Sequence, residues 1–222
     1  MDTGGNLMTR IDHQTLGEWQ RSLASSSPTP GGGAAAAVAL GQGAALGLMV
    51  CDLTLSNERY SDGWPAAEAF SESAVPVLFT SLELASKDVV AYDAVVDAMA
   101  LPKDTEEDRA TRADRLREAT RGAAEVPKEI ADHAARLLGH MVALAQGCNP
   151  NTISDLGVAC LLLSSAAKGG IFNVRINTRT IDASWATDLE EACSAMMERI
   201  RSDARAVMDV VHASLERPDE SS

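Results

Sequence analysis

Aromatic residues are scarce in this 222-residue chain, at 4% of the sequence, and lysine is scarcer still, with four against fifteen arginines. The first shortage leaves Ala, Leu, Val and Met to build the core. All but Val are good helix formers, so the composition predicts an all-α protein. No stretch alternates apolar and polar residues for long enough to suggest a strand. The second shortage, together with a net charge of −13, excludes a nucleic-acid-binding face, because a phosphate backbone needs a dense array of cations. The acidity reads as a solvated surface, and any anionic ligand must be held by local dipoles and a few placed cations. Cys51, Cys148, Cys160 and Cys193 form no CxxC pair and show no metal-ligand spacing. They are expected to be reduced core thiols of a cytoplasmic protein, since no apolar signal core follows Met1. His133 and His140 are one heptad apart with Glu129 a turn before them, but no third ligand is in place and no metal is predicted.

Charge is absent altogether from Ser25 to Cys51, and this stretch organises the rest. Pro28 and Pro30 forbid a regular helix before Gly31, while the Ala-rich run after Gly33 favours one. A glycine-rich helix entrance leaves backbone N–H groups free and carries about half a positive charge. It suits a phosphate, a carboxylate or a polarised carbonyl. A second reading is pure packing, because Gly41, Gly43 and Gly47 allow close approach of neighbouring backbones in a bundle or a subunit seam. A third, a membrane span, is disfavoured by the weak hydrophobicity of Ala and Gly, by Gln42, and by the lack of flanking cations.

The chain is expected to be one helical domain over 1–222, with 1–11 and 217–222 loose. A short helix capped by Asp12 is predicted to end near Ala24, with Leu16, Trp19, Gln20 and Leu23 on one face. The central helix follows over 33–56, then a loop over 57–65 and a long helix over 66–100, in which a kink is expected at Pro76 because it removes a hydrogen bond. Pro102 ends that helix, Asp104 or Thr105 caps the next, and Lys103 is left on the short loop between. Helix continues over 105–145, with a kink or restart at Pro127. Gly147 then suits a C-cap, and Thr152 or Ser154 an N-cap. From 156 to 171 the residues are apolar on nearly every side, as in a buried helix. Arg175 sits between two apolar residues, where an unpaired charge would need a carboxylate or an anionic ligand. A last helix is predicted over 183–215.

The polar residues at helix breaks make a candidate site of one acid, two cations and several amides: Gly31, Gly32, Gly33, Lys103, Asn149, Asn151, Ser154, Asp155, Asn173, Arg175 and Asn177. Neither a nucleophilic triad nor a P-loop is present. The strings SSSPTPGGGAAAAVAL, LPKDTEE, EVPKEIA, GCNPNTISDLGVA and NVRIN, taken in order, resemble the helical formimidoyltetrahydrofolate cyclodeaminase and methenyltetrahydrofolate cyclohydrolase family from Leu16 to Leu215. That resemblance implies an up-and-down bundle with long, partly kinked helices. It also implies a homodimer that takes a tetrahydrofolate derivative as substrate near the subunit interface, without a tightly bound cofactor. It points to Pro30 with the glycine turn, Asp88, Lys103, Asn149, Asn151, Asp155, Asn173 and Arg175. Asp155 or Asp88 is expected to act as base and Lys103 as acid or electrostatic partner.

Cyclohydrolase is the leading expectation, because the chain carries no transferase domain and its SNERY turn lacks the lysines that would favour a polyglutamate tail. Asp52 also departs from the family pattern. Cyclodeaminase is the alternative, followed by a non-catalytic folate or pterin binder or an enzyme recruited to another small molecule.

Overall fold

The computed structural model describes residues 11–179 and 183–216, and among these the regular secondary structure is helical throughout. The α-helices are α1 (Leu16–Leu23), α2 (Gly32–Leu55), α3 (Trp64–Ala100), α4 (Glu106–Gly147), α5 (Ile153–Thr178) and α6 (Ala183–Leu215). α2, α3, α4 and α5 form an up-and-down bundle in which each packs on the next and α5 closes back on α2. α6 lies against α4 and α5.

The cap of α1 is Thr15, not Asp12, because Thr15 and Glu18 make a reciprocal capping box while Asp12 sits in a short 3-10 turn. Of the face predicted for α1, Trp19 is buried but Leu16 is 62% exposed. Ile11 is anchored rather than loose, since it is buried and its N–H donates to Ser86 Oγ at 3.2 Å. Residues 1–10 and 217–222 lie outside the described residues.

α2 is a packing helix over most of its length. A Cβ on Gly43 would lie 2.8 Å from Leu163 Cγ, and one on Gly47 would run into the Phe70 ring, so α5 and α3 approach its backbone directly. Neither internal proline breaks its helix. Thr80 Oγ1 donates to the Pro76 carbonyl at 3.0 Å, and α4 runs on through Pro127 without a restart. The predicted loop over 57–65 is a 3-10 turn, Glu58–Gly63, that leads straight into α3. Gly147 is the last residue of α4, with Cys148 as cap, and no described glycine has a positive φ. Its lack of a side chain serves a backbone crossing instead, because a Cβ on Gly147 would lie 2.7 Å from Gly63 Cα, and one on Gly63 would in turn meet the Gly147 carbonyl.

Two consequences bear on function. α3 and α4 are longer than α2, so the end of α3 and the start of α4 project as a two-helix hairpin tied by Arg112 to the Met99 carbonyl at 3.1 and 3.2 Å. And α5 is not buried all round: Val158, Leu161, Phe172 and Ile176 are about half exposed, on the side facing away from α4. Apolarity alone did not reveal that this side is left exposed among the described residues.

Candidate functional site: the entrance of α2

Gly31 is the N-cap of α2 and supplies no side-chain bond. The capping group comes from another helix. Asp88 of α3 accepts from the Ala34 N–H, and its carboxyl rests directly on Gly33, where a Cβ would clash with Oδ1, Cγ and Oδ2 alike. Burial pushes the Asp88 carboxyl up to about 6, against the opposing pull of the Ala34 N–H. The anion that the helix entrance attracts is therefore in part the protein's own, and it is poised to take or give a proton near neutral pH.

Asn173 of α5 completes this cluster. Its Nδ2 donates to the Gly169 carbonyl at 2.8 Å and stands 3.6 Å from the position of a Cβ on Gly32. Three separate segments thus converge: the turn of Pro30, Gly31, Gly32 and Gly33, the middle of α3, and the end of α5.

The other predicted site residues lie elsewhere in the chain. Asn149 accepts from the Asn151 N–H at 3.0 Å and donates through Nδ2 to the Leu53 carbonyl at 3.3 Å, so both belong to the far end of α2. Leu53 is about 31 Å along α2 from Gly32. Ser154 is exposed and Asp155 half exposed in the first turn of α5, with Asp155 about 27 Å along that helix from Asn173. Thr152 is the N-cap residue there, yet its hydroxyl bonds back to the Asn149 carbonyl at 2.7 Å instead of capping α5. Lys103 is exposed at the tip of the projecting hairpin, and Ala100 alone is about 18 Å along α3 from Asp88. A single copy does not bring Gly32, Lys103 and Asp155 together.

Arg175 finds a carboxylate partner, as its position called for, but it is not buried. Its Nε and Nη2 reach Glu190 at 3.0 and 2.6 Å, and Nη2 reaches Ser194 Oγ at 3.1 Å. Asn177 donates through Nδ2 to the Ala123 carbonyl at 2.7 Å. Both side chains are thus engaged within the chain. Glu190 carried no sequence signal, since it is one of many acidic residues on an amphipathic helix. The role of Asn177 had one: Pro127 leaves the carbonyl four residues before it without a helix donor. No group of three or more His, Cys, Asp and Glu residues suited to a metal occurs among the described residues.

A helical bundle with a buried carboxyl seated on a glycine helix entrance, flanked by an amide, defines a class: an all-α bundle whose candidate site joins a helix entrance, a carboxyl and an amide. The family model described as formiminotransferase-cyclodeaminase matches residues 15–195, and the chain belongs to that family. It is 35% identical over 170 residues to the methenyltetrahydrofolate cyclohydrolase of Methylorubrum extorquens, covering 77% of this chain and 82% of that one. It is 31% identical to the formimidoyltransferase-cyclodeaminase of Sus scrofa over 90% of its own length but only 37% of that longer protein. The crystal structure of formiminotetrahydrofolate cyclodeaminase from Thermotoga maritima superimposes with a TM-score of 0.81 at 26% identity, covering 92% of this chain and 99% of that one.

Proposed function

We propose that the protein is a methenyltetrahydrofolate cyclohydrolase, hydrolysing 5,10-methenyltetrahydrofolate to 10-formyltetrahydrofolate, with Asp88 as the base. The observation that carries this reading is the buried Asp88 carboxyl on Gly33, raised to about 6, beside the Asn173 amide. In the reaction, water adds to the carbon that bridges N5 and N10 and the base takes its proton. The bond from that carbon to N5 then opens and N5 is protonated. A carboxyl near neutrality can do the first step, and later return the proton. No step calls for a tightly bound cofactor. Hydrolysis followed by the loss of methenyltetrahydrofolate absorbance tests this. Full turnover by Asp88→Asn, or no turnover by the unaltered protein, would sink it.

The second reading is cyclodeaminase, favoured by the near-complete overlap with the Thermotoga maritima enzyme. The same carboxyl would then protonate departing ammonia, and ammonia release from 5-formiminotetrahydrofolate separates the two.

We further propose a homodimer that shares its sites. Met49, Leu53, Val158, Leu161, Phe172 and Ile176 are all exposed on the outward side of α2 and α5. A two-fold pairing of these faces with the α2 helices antiparallel would carry Asn149, Asn151 and Asp155 of one copy to the Gly32 and Asp88 end of the other. Mixing inactive Asp88→Asn with inactive Asp155→Asn should then restore about a quarter of wild-type activity, since half of the random dimers hold one intact site of two. No recovery on mixing would exclude a shared site. Lys103→Met is expected to lower the rate if the hairpin tip reaches the reacting centre in the dimer, and near-wild-type turnover removes it from the reaction.

α2 and the 150–178 segment are long and apolar enough to cross a membrane, but half or more of each apolar window is buried in the bundle, which supports core helices. The four cysteines are free and buried, in keeping with the proposed cytoplasmic location.

A further inference from the structure

The proline inside α4 and the amide near the end of α5 are two halves of one arrangement. Pro127 has no N–H, so the Ala123 carbonyl lacks the donor that a helix would normally give it. Asn177 Nδ2 donates to that carbonyl at 2.7 Å. α5 is pressed against the same place, because a Cβ on Gly170 would lie 2.5 Å from the Pro127 carbonyl oxygen. On its other side, the end of α5 is held to α6 by the Arg175–Glu190 pair. Asn173 lies one turn before Asn177 on nearly the same face and is the α5 residue that stands beside Gly32.

We infer that Asn177 is a positioning residue: by giving the Ala123 carbonyl the hydrogen bond that Pro127 removes, it fixes the rotation and height of the last turns of α5 and so presents Asn173 to the α2 entrance. The inference rests on the proposal that this entrance is the reacting site. Asn177 acts through Asn173 and touches no substrate.

A purely stabilising amide and a positioning amide are separated by a second change. Pro127→Ala gives α4 its own N–H, which satisfies the Ala123 carbonyl without help from α5. Asn177→Ala alone should lower both the melting temperature and kcat, the latter about tenfold with KM little changed, measured well below unfolding. Adding Pro127→Ala should restore the melting temperature but not kcat, because the tie between α4 and α5 is still missing. Recovery of both together, or a single variant with wild-type kcat, overturns the inference. The Asn173 side-chain amide resonances, followed by NMR in the same proteins, give a reading that does not depend on turnover. They should shift in the single variant and stay shifted in the double, and unchanged resonances overturn the inference even if the wild type turns over no folate. Inactive wild-type protein with shifted Asn173 resonances would count against the functional reading and for the positioning role.

Discussion

Gly33 and Gly32 are adjacent and identical, yet their surroundings predict opposite outcomes on substitution. A methyl group on Gly33 would occupy the space of the Asp88 carboxyl, whereas one on Gly32 meets only the Asn173 amide at an ordinary 3.6 Å. Gly33→Ala should therefore expel the carboxyl and cost on the order of 10²-fold in kcat/KM, the scale of losing a general base. Gly32→Ala should stay within a few-fold and be neutral or slightly stabilising, as alanine favours a first helical turn. Steady-state kinetics and thermal melts of the two variants check the contrast. The Asp88 carboxyl also sets a pH dependence. Because its folded value is raised to about 6, the folded protein binds this proton more tightly than the unfolded chain does. The stability it contributes is complete below about pH 4 and is lost as pH rises through about 6. Urea unfolding should show that slope in the wild type, and Asp88→Asn should lack it. As a base, Asp88 should also give kcat/KM an acid limb near pH 6 in the wild type.

The elements meet at points where side chains are missing, and these points carry stability that propensity does not anticipate. At the crossing of Gly63 with Gly147 the obstacle to any added atom is backbone, which cannot rotate away. Gly63→Ala is expected to cost on the order of 3 kcal/mol, read as a lower urea midpoint. Such a cost is surprising for a glycine at the end of a turn, where alanine is usually harmless. A midpoint within error of the wild type would show that the two backbones separate easily. The same kind of reasoning explains why α2 is a packing helix over its middle, one of the readings its sequence allowed. Its glycines from 41 to 47 serve packing, while its first turn carries the proposed site. A single helix does both because its entrance lies at the end of the bundle while its middle lies in the core.

For the molecule as a whole, the outward side of α2 and α5 dominates expectation. Phe172 and Ile176 are 60% and 54% exposed close to Asn173, and Val158 and Leu161 are about as exposed toward the other end of α5. An apolar strip of this length on a charged, acidic protein is the surface on which a second copy is proposed to sit. Leu161→Glu should dissociate the dimer, seen as a halved mass in light scattering, and abolish activity while leaving the helical content intact. A monomer with full activity would refute site sharing without touching the role of Asp88.

Much of this was legible from the residues in order. Helix content, the breaks at Pro102 and Pro150, the capping by Thr105, and the span of α6 follow from propensity and turn chemistry, which act over a few residues and so are written locally. The candidate residues were legible as polar groups at helix ends, but not their grouping. That Asp88 reaches the entrance of α2, that Arg175 belongs to Glu190, and that Asn177 answers Pro127 depend on contacts between positions 15 to 54 residues apart. Only tertiary packing brings such positions within hydrogen-bond range. The separation of about 31 Å between the two ends of α2 is by contrast written in the length of the helix itself, whereas which side chains of other helices meet each end is decided only by packing.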